Sequence, residues 1–461
     1  MTNWQPDPEL VKRPAYLSLA EQFARAIGDG TLLPGSKLKP HRDLAYDLGL
    51  SVQTVSRAYN ELIRRGLIAG RVGSGSFVLS QAGDSNPPYL ANRTSEVIDL
   101  SILKPVSDNL QVNKMRDGLH WVADNLTAAS ALSFRPSSVL PRHRQIAADW
   151  LKRRGVEVAP ENIVITDGAT TAISTAVMSA APSGTTLAAP SLIHHLLMPL
   201  CKYLGIHLEG LPFDGDGILP DALDHAARKG VVRALYTQPT VINPRANITS
   251  ATRRHDLIEV ARKHDLYIIE NDILGDLVTD QPPTYAALAP ERVFHIRGFT
   301  KSTVPGLRLA YLAPPSRGAA LAANRHLVVN WMVTPVMVDL LSHWIEDGTL
   351  EGLITWQRNA LLLRHDIVNE ILAGLNYRTH AQALHVWLQL PEGTEEDLFV
   401  NQLRAQGIAI ASGRAFRVND FDRHGAVRIA VGAASEADFR RGLTLIRDTI
   451  RHPPEPLLPL L

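Results

Sequence analysis

The sequence predicts a two-part α/β protein, in which a small helical module precedes a large domain of alternating strands and helices. Three observations carry that prediction. A helix, a tight Gly turn and a second helix follow one another between His41 and Gly66 and run into two short apolar segments around "GRVGSG". Apolar periodicity is then lost over "LSQAGDSNPPYLANRTSEV", a stretch filled with Ser, Asn, Gly and a Pro pair. Beyond it, short β-branched or apolar runs alternate with helical patterns, which is how an α/β domain reads.

The totals agree with two domains. At 461 residues the chain exceeds the size at which one hydrophobic core stops growing. The expected division is residues 1–80, a linker at 81–96, and a second unit over 97–461. A hydrophobic content of 45% with 20% charged residues is that of a soluble globular protein. The formal net charge of +1 exerts no global pull on nucleic acid or membrane, so any such partner has to be met by a local patch. A single cysteine, Cys201, excludes an internal disulfide and a cysteine-rich zinc site, and reads as a small core residue. No metal site is expected. "MTNWQPDPEL" has neither a basic start nor an apolar h-region, and no run of 18 apolar residues occurs, so the expected location is the cytoplasm.

In the first unit, "PAYLSLAEQFARAIGDGTLLPG" has apolar residues at helical spacing and ends in Gly and Pro. "HRDLAYDLGL" gives a short amphipathic helix. Ser51 is then placed as the N-cap of "VQTVSRAYNELIRRG", with Val55, Ala58, Tyr59 and Leu62 on one face. This is a helix-turn-helix pattern. "LIAGRVGSGSFVLS" follows as two short strands with Arg71, Gly73, Ser74 and Gly75 at the tip, a hairpin that would act as a wing. Residues 1–80 hold ten Lys/Arg against seven Asp/Glu. Ser51, Gln53, Thr54 and Arg57 at the start of the third helix could reach base edges and phosphates, while Arg42 and Arg71 meet the backbone. The bland alternative is a three-helix module with solvated arginines.

Over its whole length "LKPHRDLAYDLGLSVQTVSRAYNELIRRGLIAGRVGSGSFV" resembles the winged-helix domain of GntR-type bacterial regulators. The resemblance implies operator DNA as partner, with contacts from Arg42, from Ser51 to Arg57, and from Arg71 to Gly75.

In the large domain, "HIRGFTK" reads as a strand ending at Lys301, "STVPG" as a turn and "LRLAYLAPP" as a second strand. Strand ends in an α/β sheet are where ligand crevices form, and a desolvated lysine there becomes an amine nucleophile. Arg308, seven residues on, could hold a phosphate bidentately. A lone lysine near a turn is ordinarily a surface charge, so its companions decide. "NIVITDGATTAISTAVMSAA" is a strand, a turn at Gly168, Ala169 and Thr170, and a helix whose first N–H groups make an anion site. "YTQPTVINPRA" places Asn243 before a proline, where it is either a turn residue or a partner for a ring oxygen. "YIIENDILGDL" runs a strand into Glu270, Asn271 and Asp272, which could face a protonated ring nitrogen, or in the case of Asp272 cap a helix. "HGAVRIAVG" puts Arg428 inside a strand, where a buried cation requires a carboxylate from protein or ligand.

The order and spacing of these segments resemble the fold-type I aminotransferase domain, and its fusion to a GntR-type winged helix resembles the MocR family of regulators that contain pyridoxal 5'-phosphate (PLP). The resemblance implies that Lys301 carries PLP as an internal aldimine. Arg308 and the Gly168–Thr170 turn would hold its phosphate, Asn243 would meet the ring hydroxyl, and Arg428 would receive the carboxylate of an effector. It further implies a homodimer with a head-to-tail arrangement of domains, and an amino-compound effector that forms an external aldimine and so modulates DNA binding, with no residue assigned a catalytic role.

The chain departs from the family at several positions. Where the family writes Glu-Asp-Asp followed by Tyr, this sequence has Asn271 and Leu274, so either Asp272 serves the ring nitrogen or the ring stays less electrophilic. The serine expected three before the lysine is Gly298, and the stacking aromatic is Leu192 or Ile193, with His194 as the flat candidate. Two rival expectations therefore stay open, a true aminotransferase with an incidental N-terminal module and a cofactor-free repressor.

Overall fold

The computed structural model describes residues 4–28, 31–32, 36–64, 67–71, 75–78, 97–134, 140–419 and 425–452. The chain divides into two compact units, Met1–Asn92 and Arg93–Leu461. The expected linker at 81–96 lies outside the described residues.

The first unit contains α1 (Ala15–Gly28), α2 (His41–Asp47), α3 (Val52–Arg64), β1 (Ile68–Arg71) and β2 (Gly75–Val78). Ser51 caps α3 as expected, its Oγ accepting from the Thr54 N–H at 3.1 Å. Val55, Ala58, Tyr59 and Leu62 are all buried, packed with Leu19, Phe23 and Leu44 of α1 and α2. The two strands pair antiparallel from Ile68 opposite Val78 to Arg71 opposite Gly75. Gly73 and Ser74 lie outside the described residues.

The second unit is built on a seven-stranded sheet of β4 (Val164–Thr166), β5 (Thr186–Pro190), β6 (His207–Leu211), β7 (Val232–Thr237), β8 (Tyr267–Asn271), β9 (Val293–Gly298) and β10 (Ala310–Ala313). Its order is β4-β10-β9-β8-β7-β5-β6, with β10 antiparallel to both neighbours and the other pairs parallel. Every residue of β5, β9 and β10 is buried, as strands covered on both faces must be. Because β4 and β9 each run against β10, they share a direction with β7 and β8. The turns after β4, β7, β8 and β9 and the turn before β10 therefore open on one edge of the sheet.

A smaller antiparallel sheet orders β11 (Tyr377–Arg378), β12 (His385–Gln389), β15 (Ala426–Ala430) and β14 (Ala411–Ser412), while β3 (Ile98–Asp99) pairs in parallel with β13 (Ile408–Ala409). These strands share an apolar core with the helices Thr349–Ile371 and Glu436–Arg451. Among the described residues no helix is long and apolar enough to cross a membrane.

Candidate functional site

The edge where those turns open collects the lysine, the arginines and the Gly turn singled out from the sequence. Lys301 follows β9 by three residues and is half-buried, its Nζ donating to the Leu103 carbonyl. Burial, and after it the positive charges of Arg428 and Arg308, bring its pKa down to about 8, so a substantial share of the amine is neutral near physiological pH. A solvated surface lysine would show none of this.

Gly168 adopts φ 86° and ψ 171°, a region essentially closed to residues with a Cβ, and caps the helix Ala169–Ala180 without any side-chain hydrogen bond. A Cβ built on it would lie 3.3 Å from Nη2 of Arg308. The guanidinium thus lies over the bare glycine at the start of a helix, so a cation and the N-terminal end of a helix, both favourable to an anion, stand together. Arg308 is itself held in the left-handed region (φ 49°) after the turn Pro305–Leu307.

Asn243 and Arg428 meet across the two sheets. Arg428, 3% exposed, donates through Nη1 to Asn243 Oδ1 at 2.9 Å and through Nη2 to the Ser101 carbonyl, and its guanidinium lies 4.7 Å from the Phe416 ring centre. Its Nε is buried without a partner, and no carboxylate among the described residues pairs with it. Burial alone pushes its pKa down to about 9. The carboxylate expected beside a buried cation is therefore not supplied by the described protein.

Asn271 and Asp272 take opposite faces of the sheet. Asn271 shares the face of Ile269 and Ile296, on which the helix Ala169–Ala180 packs; its Nδ2 donates to the Tyr236 hydroxyl at 2.7 Å and its Oδ1 is buried without a partner. Asp272 belongs instead with Arg297, whose Nη1 donates to its Oδ2 at 2.7 Å in a fully buried pair. It neither caps a helix nor turns toward Asn271. Asp276 stands 3.6 Å from Arg297, and Arg358 donates to the Asp276 carbonyl, so the segment after β8 is tied down by charge.

The other departures also have places. Leu274 is buried in the core beneath the smaller sheet. A Cβ on Gly298 would stand 3.2 Å from Ile273 Cγ2 and 3.3 Å from Ala169 Cβ, so larger neighbours fill the space of the missing serine. Leu192 and Ile193 are core residues, whereas the rings of His194 and His195 lie 4.7 Å apart. Burial depresses both pKa values, that of His195 to about 4, and Lys301 and Arg428 add to the effect, so both rings are neutral near pH 7. Sequence reasoning missed Tyr236, Phe416, Arg297 and the carbonyls of Ser101 and Leu103. A main-chain acceptor leaves no mark in the sequence, and an aromatic in a strand reads as core.

In the first unit Arg42, Ser51, Gln53 and Arg57 are exposed and Thr54 is half-buried, its Oγ1 2.9 Å from Ser51 Oγ. The Arg57 guanidinium lies 4.1 Å from the Tyr16 ring centre. Arg71 ends β1.

A winged helix joined to an α/β domain with a desolvated lysine at a strand end and an anion cradle under an arginine defines a class, that of a DNA-binding module fused to an aminotransferase-like domain. The chain belongs to the aminotransferase class I and II family, whose model matches residues 95–446, and residues 15–78 match that of the bacterial regulatory proteins of the gntR family. This pairing is the one that defines the MocR arrangement. Among its relatives, the uncharacterized HTH-type transcriptional regulator YdeF of Bacillus subtilis (strain 168) is 27% identical over 454 residues, 96% of each chain. The HTH-type pyridoxine biosynthesis transcriptional regulator PdxR of Corynebacterium glutamicum is 27% identical over 86% of this chain and 87% of its own. The HTH-type transcriptional regulator TauR of Rhodobacter capsulatus is 24% identical over 94% and 96%. Of solved structures, an archaeal alanine:glyoxylate aminotransferase superposes with a TM-score of 0.71 at 21% identity, covering 77% of this chain and 91% of its own. Kynurenine aminotransferase of Pyrococcus horikoshii, solved in complex with PMP, gives 0.71 at 20% identity over 78% and 92%.

Proposed function

We propose that the chain is a cytoplasmic bacterial transcription regulator in which residues 1–80 bind operator DNA and residues 97–461 hold PLP and respond to an amino compound. The observation that carries this reading is the lysine amine at the end of β9, brought to a pKa of about 8 beside an anion cradle that only a glycine permits. The residues present fit the cofactor. The cradle of Gly168, Ala169, Thr170 and Arg308 suits its phosphate, Lys301 its aldehyde, Asn243 its ring hydroxyl and Asn271 its ring nitrogen; the unpartnered Oδ1 of Asn271 marks a place where a polar ligand atom is wanted. Asp272 is committed to Arg297 and is left out of this set. When bound, PLP supplies an aldehyde that captures primary amines.

The chain's own residues determine which amine is accepted and whether it is turned over. Arg428 receives the effector's carboxylate through its free Nε, and the neutral rings of His194 and His195 add no further cation. A carboxylate beside the ring nitrogen would hold it protonated by charge; Asn271 Oδ1 can accept that N–H but adds no charge, so the proton is held less firmly, which favours sensing over turnover. The structural neighbours keep the aminotransferase reading as the second one, and conversion of an amino acid with a 2-oxo acid would support it. On DNA, Ser51, Gln53, Thr54 and Arg57 face the groove, and Arg42, Arg71 and Gly73 the phosphates. As a head-to-tail homodimer the protein would read a repeated site.

The test selects DNA fragments bound by the purified protein and measures their affinity with PLP, with and without a panel of amines. Affinity that falls with salt and shifts on amine addition, together with a Lys301→Ala protein that binds DNA but ignores amines, is the expected result. A response that persists in Lys301→Ala would overturn the sensor role of this lysine.

A further inference from the structure

α3 buries Val55, Ala58, Tyr59 and Leu62 and turns Gln53, Arg57 and Asn60 outward, three or four residues apart and so along one exposed face. Arg57 is the cation on that face, and it is not left loose in solvent. Its guanidinium carbon lies 4.1 Å from the centre of the Tyr16 ring, which belongs to α1. Among the described residues no carboxylate pairs with Arg57, so the ring is the contact that holds it. Tyr16 is in turn well fixed. It is half-buried against the core that α1 and α3 share through Leu19, Phe23 and Tyr59, where the Phe23 and Tyr59 rings meet edge to face at 5.7 Å. The beginning of α1 is also tied to the chain before it. Ser18 Oγ accepts from the Lys12 N–H and donates to the Leu10 carbonyl, both at 3.1 Å. The Gln22 carboxamide exchanges hydrogen bonds with the Asp7 backbone at 2.8 and 3.1 Å.

An aromatic ring attracts a guanidinium through its π face and offers no lone-pair acceptor, so the fork of N–H donors remains for a phosphate. A carboxylate partner would instead occupy those donors and cancel the charge. An arginine free in solvent loses its rotamer freedom at the moment it binds, which weakens association. One already held against a ring has lost part of that freedom on folding.

We propose that Tyr16 is a positioning residue for DNA, holding the Arg57 guanidinium ready for a backbone phosphate at the rim of the groove that Ser51, Gln53 and Thr54 face. The inference rests on the reading of residues 1–80 as an operator-binding unit and deepens it by giving a residue of α1, outside the α2–α3 pair, a part in the contact. Tyr16 acts through Arg57 and touches no nucleotide itself. Removing the ring leaves the charge of Arg57 in place, so affinity falls while its dependence on salt is kept; removing Arg57 takes away both.

The experiment measures, by fluorescence anisotropy over a series of KCl concentrations, binding of the full-length protein to one fluorescein-labelled duplex that the wild type has selected from a random-sequence library. Tyr16→Leu should bind about 2- to 12-fold more weakly, the range expected when one rotamer-rich side chain is ordered on binding, with the slope of log affinity on log salt unchanged. Tyr16→Phe keeps the ring and should bind as the wild type does. Arg57→Ala should lower the slope by about 1, and in that background Tyr16→Leu should have no further effect. Arg57→Lys, at an exposed position and so harmless to the fold, keeps the charge without the planar fork and should lose affinity at an unchanged slope. Equal losses from Tyr16→Leu with and without Arg57 would mean that the ring only supports α1, and tighter binding by Tyr16→Leu would mean that it withholds Arg57 from DNA. Either result overturns the positioning role and leaves DNA binding intact, and so does full affinity in Arg57→Lys, whatever the stability of Tyr16→Leu. If the wild type retains no duplex, the DNA-binding reading fails first and the positioning role fails with it.

Discussion

Replacing Gly168 by alanine isolates the anion cradle from everything else in the site. Two effects add. Holding alanine at φ 86° and ψ 171° costs on the order of 1–3 kcal/mol, which appears as lower stability or a rearranged turn. The new Cβ would also stand 3.3 Å from Arg308 Nη2 and 3.4 Å from its Cζ, so the guanidinium has to retreat by a few tenths of an ångström or leave. Losing one charge-assisted hydrogen bond costs about 1.5–3 kcal/mol. At 1.4 kcal/mol per tenfold, affinity for the phosphorylated cofactor should fall about 10- to 150-fold. The assay titrates wild type and Gly168→Ala with PLP and with pyridoxal, which lacks the phosphate, beside a thermal melt. Weaker PLP binding with pyridoxal unaffected is expected. Equal losses for the two ligands, or unchanged PLP affinity in a folded variant, would refute the cradle.

Asp272→Ala removes the hydrogen-bonded partner of the buried Arg297 and leaves it only Asp276 at 3.6 Å, which should cost about 1.5–3 kcal/mol in a denaturant titration, whereas a ring-nitrogen partner would change the cofactor's spectrum with little loss of stability. The rate at which PLP attaches should rise with pH with a midpoint near 8, because the neutral amine is the nucleophile, and in Arg428→Ala the midpoint should move up as a neighbouring cation is removed; rapid-mixing absorbance from pH 6.5 to 10 reads both. In the first unit Ser51→Ala removes the cap of α3 and should lower stability by about 1 kcal/mol. Gln53→Ala should leave melting unchanged but reduce discrimination between sites by about 1–3 kcal/mol in competition binding.

The sequence was legible where a residue's chemistry and its local pattern coincide. The buried face of α3, its Ser51 cap, the strand-end position of Lys301 and the glycine of the cradle all follow from spacing and from what a Cβ forbids. The Asn271–Asp272 pair was not legible. Adjacent residues at a strand end face opposite sides of the sheet, and which side carries the site depends on helices laid down far away in sequence; only the structure shows that Asp272 already has Arg297. The acceptors of Lys301 and Arg428 were also hidden, since Leu103 and Ser101 act through carbonyls that every residue has. The pairing of Arg428 with Asn243, 185 residues apart, required both sheets to be in place.

The direct test of Lys301 as the anchoring amine is borohydride reduction of the PLP-loaded protein with subsequent mass analysis of its peptides. A reduced pyridoxyl adduct on the Lys301 peptide, with none formed by Lys301→Ala, is the result expected. An unmodified Lys301 peptide at saturating PLP, or an adduct carried by another lysine, would contradict it.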